Sequence, residues 1–275
     1  MPPFDIRPVC GSIGAEVHGI DLASDLPPES IAALRRALVE HVVLFFRRQE
    51  LTPAQHLAFA RRFGEISVAP FGPKHPDHPE ITVLDQTTPK GEGADTWHTD
   101  NTFMQEPPLG SILRAVQLPP LGGDTCFANM AAAYEALSPP LRGFLEGLRA
   151  EHDIAKTLRQ AIRDGHSDAE LGEMQRRYPA VSHPVVRTHP ESRRKILFVN
   201  GNFTTRLLGL SERENQALLS FLVDHVRAPE YQCRFRWEPG SLAFWDNRSA
   251  QHYGVPDYSA RRIMHRVTLA GDRPA

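Results

Sequence analysis

Three side chains in this sequence could together hold a metal ion. His98 and Asp100 stand two residues apart, so an extended backbone would turn both toward the same side. A third ligand can come from His252, far along the chain. Two imidazoles and one carboxylate on one side of an ion form the facial triad of non-haem Fe(II) oxygenases, which leaves three positions open. The His-x-Asp pair alone is also what a surface histidine beside a loop aspartate would give.

The last predicted strand, residues 262–268, carries two arginines on one face. Alternation puts Arg262 and Arg266 on one side and Ile263 and Val267 on the other. Two inward guanidinium groups beside a metal site would each need an anion, because a buried unpaired charge is costly. A guanidinium binds a carboxylate through two parallel hydrogen bonds. The alternative is that the arginines face solvent and the two aliphatic residues form the core.

The composition is that of an ordinary globular enzyme. The chain has 275 residues, of which 23% are charged and 41% apolar, and its net charge of −2 argues against a general nucleic-acid binder. The three cysteines are scattered and odd in number, and the N-terminus lacks the pattern of a signal peptide. The apolar runs are too short to span a bilayer. We therefore expect a cytoplasmic protein without nucleic-acid or membrane partners.

Hydrophobic periodicity and turn residues predict many short strands with helices between them. The expected helices cover residues 29–40, 53–63, 131–147 in two pieces, 155–178 and 211–227. The expected strands cover residues 42–46, 81–84, 111–118, 125–128, 184–188, 195–200, 232–237, 241–245 and 262–270. No linker-like stretch interrupts the chain, and the candidate ligands are far apart in sequence. We therefore predict one mainly β domain, a barrel or sandwich decorated with helices.

One segment stands apart from this pattern. Residues 155–178 are charged and helix-prone but have no strong apolar face. They could form a lid over the site, an insert at about residues 155–180, or equally a solvated surface helix.

Sequence blocks along nearly the whole chain resemble one family. The sequence resembles the taurine dioxygenase (TauD/TfdA) family of Fe(II)- and 2-oxoglutarate-dependent dioxygenases. The blocks are Ile13-Gly14-Ala15-Glu16-Val17, Arg61-Arg62-Phe63-Gly64-Glu65, Trp97-His98-Thr99-Asp100, Gly122-Gly123-Asp124-Thr125, residues 132–138, residues 183–190, Phe203-Thr204-Thr205-Arg206, Trp245-Asp246-Asn247-Arg248, Gln251-His252-Tyr253 and residues 261–266.

This resemblance implies a double-stranded β-helix (jelly-roll) core within a single domain, residues 1–275, and a homo-oligomer. His98, Asp100 and His252 match the Fe(II) ligands of the family. Thr125 and Arg262 match the residues that hold the far carboxylate of the co-substrate 2-oxoglutarate, and O2 is the other co-substrate. The match would give Arg262 the anion that its position on the last strand calls for.

The substrate end departs from the family pattern. Arg266 matches an arginine that binds the substrate anion, but three positions that are polar in taurine dioxygenases hold Ala69, Gly72 and Ala94. One phenylalanine position of the family pocket holds Leu158, while Phe203 keeps another. A larger and more apolar pocket is implied, so we expect a small anionic substrate such as a sulfonate, an alkyl sulfate or an aryloxy carboxylate.

The expected reaction is hydroxylation of that substrate with release of succinate and CO2. One alternative is that neighbouring side chains fill the vacated positions and that taurine is the substrate. A zinc-dependent hydrolase could use the same three ligands, but it would not need Thr125 and Arg262. A non-catalytic jelly-roll binding protein would keep the fold but would not need the complete ligand set.

Overall fold

The chain folds around two facing β-sheets. The structure, a computed structural model, describes residues 4–69, 72–87, 89, 94–163 and 170–275. Within these ranges the strands are β1 (Asp5–Pro8), β2 (Ala15–His18), β3 (Val43–Phe46), β4 (Ile66–Ser67), β5 (Ile81–Gln86), β6 (Gly110–Gln117), β7 (Thr125–Asn129), β8 (Arg149–His152), β9 (Val181–Pro184), β10 (Val186–Thr188), β11 (Lys195–Leu197), β12 (Thr204–Leu207), β13 (Gln232–Phe235), β14 (Leu242–Asp246), β15 (Ala250–Gly254) and β16 (Arg262–Leu269).

The larger sheet has the order β1-β2-β3-β14-β6-β16, and both β4 and β5 pair with the far edge of β16. All pairings are antiparallel except β2 with β3. Arg266 on β16 lies opposite Thr82 of β5 on one side and Leu113 of β6 on the other. The C-terminal strand is therefore interior to the sheet, and its residues can reach the centre of the fold.

The smaller sheet, β13-β7-β15, faces the larger one. Phe127 and Phe235 from the smaller sheet pack with Phe45, Trp245 and Met264 from the larger sheet in one buried cluster. Burial of these apolar side chains between two antiparallel sheets is the main stabilising contribution to such a core. The prediction of a mainly β fold with a jelly-roll core and decorating helices is confirmed.

Helices cover the outer faces of the sheets. Their bounds are α1 (Pro28–His41), α2 (Pro53–Arg61), α3 (Met130–Glu135), α4 (Pro139–Leu145), α5 (Ala155–Arg163), α6 (Leu171–Arg177) and α7 (Glu212–His225). Helix α2 begins with a capping box in which Thr52 and Gln55 exchange hydrogen bonds. Helix α7 begins with a second capping box, formed by Ser211 and Glu214. The apolar faces of α1 and α2 pack on the outer side of the larger sheet.

The strand predictions were incomplete in two respects. The predicted strands at residues 232–237 and 241–245 are joined by a turn at Pro239–Gly240, with a φ of 73° at Gly240. It joins β13 in the smaller sheet to β14 in the larger one, and these two strands do not pair with each other. Strands β1, β2, β4, β8, β9, β12 and β15 were not predicted. The buried side chains of β15 include Gln251 and His252, so β15 lacks the apolar alternation from which a strand is predicted.

Two helices, α5 and α6, form in the segment for which a lid was predicted. Residues 164–169 of that segment lie outside the described residues. Helix α5 buries Leu158 with Phe103 and Phe203. None of the helices in the described residues is both long and apolar enough to cross a membrane.

Candidate active site

Three predicted ligands meet in the structure. The ligating atoms of His98, Asp100 and His252 all lie within 4.8 Å of one another, and all three residues are buried. The Nε2 atom of His98 is 3.5 Å from Asp100 Oδ1, and that of His252 is 3.9 Å from the same oxygen. Among the described residues, this is the one group of three or more such side chains with that geometry. Two nitrogen donors and one oxygen donor suit a divalent transition metal.

Backbone pairing brings the two histidines together. His98 and His252 exchange backbone hydrogen bonds of 3.1 and 2.8 Å, as in a short antiparallel bridge. The His98 Nδ1 atom lies 2.8 Å from the Thr96 carbonyl oxygen. That contact requires Nδ1–H to donate, which leaves Nε2 free of a proton and able to ligate. Burial lowers the pKa of His252 to about 3, so its imidazole is neutral as ligation requires.

Asn247 holds the backbone of the third ligand. Its Oδ1 accepts a hydrogen bond of 2.9 Å from the Asp100 N–H, and its Nδ2 donates to the carbonyl oxygens of Asp100 and Pro108. The next residue, Asn101, has a φ of 51°, so the chain turns immediately after the ligand. Asp100 is itself part of this turn, not of an extended segment as predicted, and its carboxylate still lies 3.5 Å from His98 Nε2.

Opposing effects act on the Asp100 carboxylate. Burial favours its protonated form, but the Arg266 guanidinium and the two imidazoles hold its pKa far below the usual range. Arg266 Nη1 lies 3.3 Å from Asp100 Oδ1, and Ser111 Oγ donates to Oδ2 at 3.3 Å. The carboxylate is thus ionised and oriented, as a metal ligand must be.

A second buried charge cluster supports the turn that carries Asn247. The Asp246 carboxylate accepts hydrogen bonds from Arg248 at 2.8 and 2.6 Å, and lies 3.0 Å from His189 Nε2. Arg248 also contacts Glu191 at 2.8 Å. Burial opposes ionisation of Asp246, but Arg248 and His189 hold its pKa well below the usual range. This contact indicates a structural role for His189.

Arg262 and Thr125 line the same cavity as the three ligands. The Arg262 Nε donates to the Gly123 carbonyl oxygen at 3.1 Å. Among the described residues it meets no carboxylate, and burial lowers its pKa. The Thr125 hydroxyl accepts a hydrogen bond of 3.0 Å from the Trp237 indole N–H. Because an indole can only donate, the threonine proton stays available to an anion next to Arg262.

Arg266 stands on the same face of β16 as Arg262 and lines the other part of the cavity. This agrees with the predicted alternation along the strand. The cavity has a volume of about 290 Å³. Arg266 Nε is buried and has no hydrogen-bond partner among the described residues. Its guanidinium therefore has donors left over after the contact with Asp100.

Only some of the predicted substrate residues line the cavity. Gly72, Ala94 and Phe203 line the cavity, whereas Ala69 and Leu158 are not among its lining residues. Leu158 lies in one buried cluster with Phe203. Ala69 is buried as well. Direct substrate contact by these two residues stays a prediction.

Several residues at the site were missed by sequence reasoning. Asn247 was singled out only as part of a resembling block, and its contacts to Asp100 carried no local signal. Thr82, Asn202 and Tyr258 also line the cavity. Tyr258 donates to Gln86 Oε1 at 2.9 Å, which ties the loop before β16 to β5.

Four neighbours of the site make packing or hydrogen-bond contacts that indicate structural roles. Cys126 is buried and does not line the cavity. Trp97 packs edge-on against Tyr253. Trp245 packs against the His252 ring with centroids 4.6 Å apart. His183 lies 3.0 Å from the carbonyl oxygens of Thr102 and Met104.

Comparison with known proteins gives consistent relatives. An α-ketoglutarate-dependent sulfate ester dioxygenase of Pseudomonas putida is 41% identical over 98% of this chain and 91% of its own length. An α-ketoglutarate-dependent 2,4-dichlorophenoxyacetate dioxygenase of Cupriavidus pinatubonensis is 37% identical over 97% of each chain. The crystal structure of AAD-2 with Mn(II) and N-oxalylglycine superposes with a TM-score of 0.84, at 30% identity and 98% coverage of both chains.

The family assignment follows from a match over almost the full length. The profile described as "Taurine catabolism dioxygenase TauD, TfdA family" matches residues 5–268, which include all three predicted metal ligands and both arginines of β16. The chain belongs to the TauD, TfdA family of α-ketoglutarate-dependent dioxygenases.

Proposed function

We propose that this protein is an Fe(II)- and 2-oxoglutarate-dependent dioxygenase that hydroxylates a small anionic organic substrate. The substrate classes are sulfonates, alkyl sulfates and aryloxy carboxylates. The observation that carries the proposal is one cavity lined by the buried ligand set and by both Arg262 and Arg266. Three protein ligands on one side of a metal leave three positions open, and a keto acid and oxygen together need these positions.

His98, Asp100 and His252 would hold the iron, which when bound supplies the activation of O2 and the oxidation of a C–H bond. The donor set fits this ion, because both imidazole nitrogens and the ionised carboxylate oxygen face a common point. Asn247 keeps Asp100 in place, and the Thr96 carbonyl sets the His98 tautomer. These contacts orient the ligands before a metal arrives.

Arg262 and Thr125 would bind the far carboxylate of 2-oxoglutarate. Arg262 is a buried cation with no carboxylate partner among the described residues, and an anion would compensate its charge. The Thr125 hydroxyl supplies a further donor. Trp237 holds that hydroxyl as an acceptor, so its proton can point to the co-substrate.

Arg266 would bind the substrate anion, with Phe203, Gly72 and Ala94 around the rest of the molecule. Leu158 would act by supporting the Phe203 ring, and Ala69 by leaving space behind the wall. The overall reaction consumes 2-oxoglutarate and O2 and yields succinate, CO2 and the hydroxylated substrate. Where the new hydroxyl stands on a carbon that bears sulfonate, sulfate or ether oxygen, the C–S or C–O bond would break as that carbon becomes a carbonyl, and sulfite, sulfate or the phenol would be released.

We further propose a single domain with α5 and α6 as a lid at about residues 155–180, and a cytoplasmic homo-oligomer. Three free cysteines support a reducing compartment. Chemical cross-linking and light scattering test the oligomer. Limited proteolysis with and without 2-oxoglutarate and substrate tests the lid, which should become protected when both are bound.

Succinate release tests the reaction itself. Protein loaded with Fe(II) should release succinate from 2-oxoglutarate in the presence of oxygen, and the rate should rise with a substrate from a panel of taurine, longer sulfonates, alkyl sulfates and aryloxy carboxylates. His98→Ala and Asp100→Ala should abolish turnover, and substantial residual turnover would remove the triad assignment. Activity that requires Zn(II) and forms no succinate would instead identify a hydrolase. Stimulation by taurine alone would contradict the larger pocket.

A further inference from the structure

Three side chains stand in one row across the larger sheet, at the substrate end of the cavity. Lys74 forms an antiparallel bridge with Thr82 of β5, and Thr82 lies directly opposite Arg266 of β16. Side chains of directly opposite residues point to the same face and have Cβ atoms about 5 Å apart. Thr82 and Arg266 both line the cavity. Lys74 therefore stands on the far side of Thr82 from Arg266.

The hydrogen bond between Lys74 and Thr82 determines whether the Thr82 hydroxyl proton is available to a ligand. Lys74 Nζ donates to Thr82 Oγ1 at 3.2 Å and to the Ala69 carbonyl oxygen at 2.7 Å. An ammonium group has no acceptor, so Thr82 Oγ1 accepts in this contact and keeps its own proton. Among the described residues no acceptor for that proton is recorded. A buried hydroxyl on a cavity wall is thus left with a donor for a ligand.

The same arrangement occurs at the other arginine of β16. There the donor-only indole of Trp237 bonds to Thr125 Oγ1, and the threonine stands by Arg262 at the proposed carboxylate site of 2-oxoglutarate. Here the donor-only ammonium of Lys74 bonds to Thr82 Oγ1, and the threonine stands by Arg266. The cavity thus has two threonine–arginine pairs, each with the threonine proton available to an anion.

Charge also accumulates at this end of the cavity. The recorded ion pair of Arg266 is with Asp100, whose negative charge a bound metal dication would share. Burial and the neighbouring Arg266 charge both lower the pKa of Lys74, which agrees with two cations held close together. A substrate anion between Arg266 and Thr82 would relieve this repulsion.

We propose that Thr82, polarised by Lys74, is a substrate-binding residue that donates to the anion held by Arg266, and that it makes the site prefer a sulfur oxyanion to a carboxylate. This inference rests on the proposed function of Arg266. A guanidinium matches the two oxygens of a planar carboxylate within its own plane. A sulfonate or sulfate carries a third terminal oxygen outside that plane. Thr82 approaches from the neighbouring strand and supplies the donor for that oxygen.

Equilibrium binding of a matched ligand pair tests the preference. The two ligands are 1-pentanesulfonate and hexanoate, which share a five-carbon tail and a single negative charge. The protein is loaded with Mn(II) and N-oxalylglycine so that no turnover occurs, and Kd is measured by calorimetry. We expect wild-type protein to bind the sulfonate at least about tenfold more tightly, as one hydrogen bond to a charged group would give.

Substitutions of Thr82 and Lys74 test whether these two residues cause the preference for the sulfonate. Thr82→Val should weaken sulfonate binding about tenfold or more and change hexanoate binding by less than about threefold, since one charge-assisted hydrogen bond is lost. Thr82→Ser should retain the wild-type ratio, because it keeps the hydroxyl. Lys74→Met should weaken sulfonate binding more than hexanoate binding. Thr188→Val on β10 and Lys195→Met on β11 are matched controls away from the cavity and should bind as wild type does.

Two kinds of result would overturn the inference. One is a wild-type protein that binds hexanoate as tightly as the sulfonate, or that binds neither ligand. The other is an unchanged ratio of the two Kd values in Thr82→Val, whether both ligands are weakened equally or neither is weakened. Two further measurements distinguish these results from failure of the proposed function. They are sulfonate binding by Arg266→Gln and substrate-stimulated succinate release. Retained sulfonate binding in Arg266→Gln would refute the anion site itself. Substrate-stimulated succinate release together with an unchanged ratio in Thr82→Val would leave the dioxygenase standing and remove only the role of Thr82.

Discussion

Replacement of Asn247 by alanine should loosen a metal ligand that the substitution does not touch. Asn247 is 1% exposed and makes three hydrogen bonds, two of them to the backbone of Asp100. Alanine would leave the Asp100 N–H and two carbonyl oxygens without their partner. A buried polar group that loses its partner costs about 1–3 kcal/mol, and water entering the space would recover part of this. We expect the free energy of unfolding to fall by about 2–4 kcal/mol.

The effect on the metal is the more specific result. Loss of a contact that orients a ligand typically weakens metal binding about 10- to 100-fold. Calorimetric titration with Mn(II) measures that affinity, and urea unfolding of the metal-free protein measures stability separately. Asn215→Ala is the matched control. Asn215 is also buried, and its Oδ1 accepts a 2.7 Å hydrogen bond from the Leu207 N–H, remote from the ligands.

The control should lose stability and keep its Mn(II) affinity. A Mn(II) affinity of Asn247→Ala within twofold of wild type would refute the reasoning, because the turn at Asp100 would then hold its carboxylate without help. Equal weakening in both variants would point to general loosening of the fold instead.

Three further substitutions probe other parts of the structure. Gly123→Ala would place a Cβ 3.0 Å from Arg262 Cδ at a residue whose φ is +71°. We expect a several-fold rise in the KM for 2-oxoglutarate. An unchanged KM would show that Arg262 does not depend on this close approach. Trp237→Phe removes the hydrogen bond to Thr125 and should raise the same KM about fivefold to tenfold, as loss of about 1 kcal/mol implies; equal rises in the KM for substrate and for 2-oxoglutarate would argue against a specific effect. Burial lowers the pKa of His56 from 6.5 to about 3, so between these values the unfolded chain binds one more proton and stability falls as the pH falls. His56→Gln should therefore reduce the loss of unfolding free energy between pH 7 and 5 by about 2 kcal/mol, and urea unfolding at the two pH values with an undiminished loss would contradict this assignment.

The metal site could be predicted from sequence only in part. His98 and Asp100 are two residues apart, so their spacing alone brought them together. Nothing local pointed to His252, because β15 buries polar side chains and shows no alternation. Its assignment needed the resemblance to a family, and the backbone bridge from His98 to His252 now gives its physical basis.

The walls of the cavity were harder to predict, since they depend on cross-strand register. Thr82 was expected only as part of a strand, and its place opposite Arg266 follows from the pairing of β5 with β16. Leu158 and Ala69 occupy positions that match pocket residues of the family. Whether a side chain reaches the cavity depends on how its neighbours pack: Phe203 lines the cavity, whereas Leu158 belongs to the same buried cluster and does not line it.

Strand β16 has a consequence for which bond is attacked. Arg262 and Arg266 are four residues apart on one extended strand, so their Cα atoms are separated by about 13 Å. If these arginines bind as proposed, the strand would set the distance between the far carboxylate of the co-substrate and the anionic head group of the substrate. Arg266 also lies against the proposed metal ligand Asp100, so a head group held there would bring its neighbouring carbon to the reaction centre. Regiochemistry would then be counted from the anionic head, and substrates with tails of different length would be cut at the same bond.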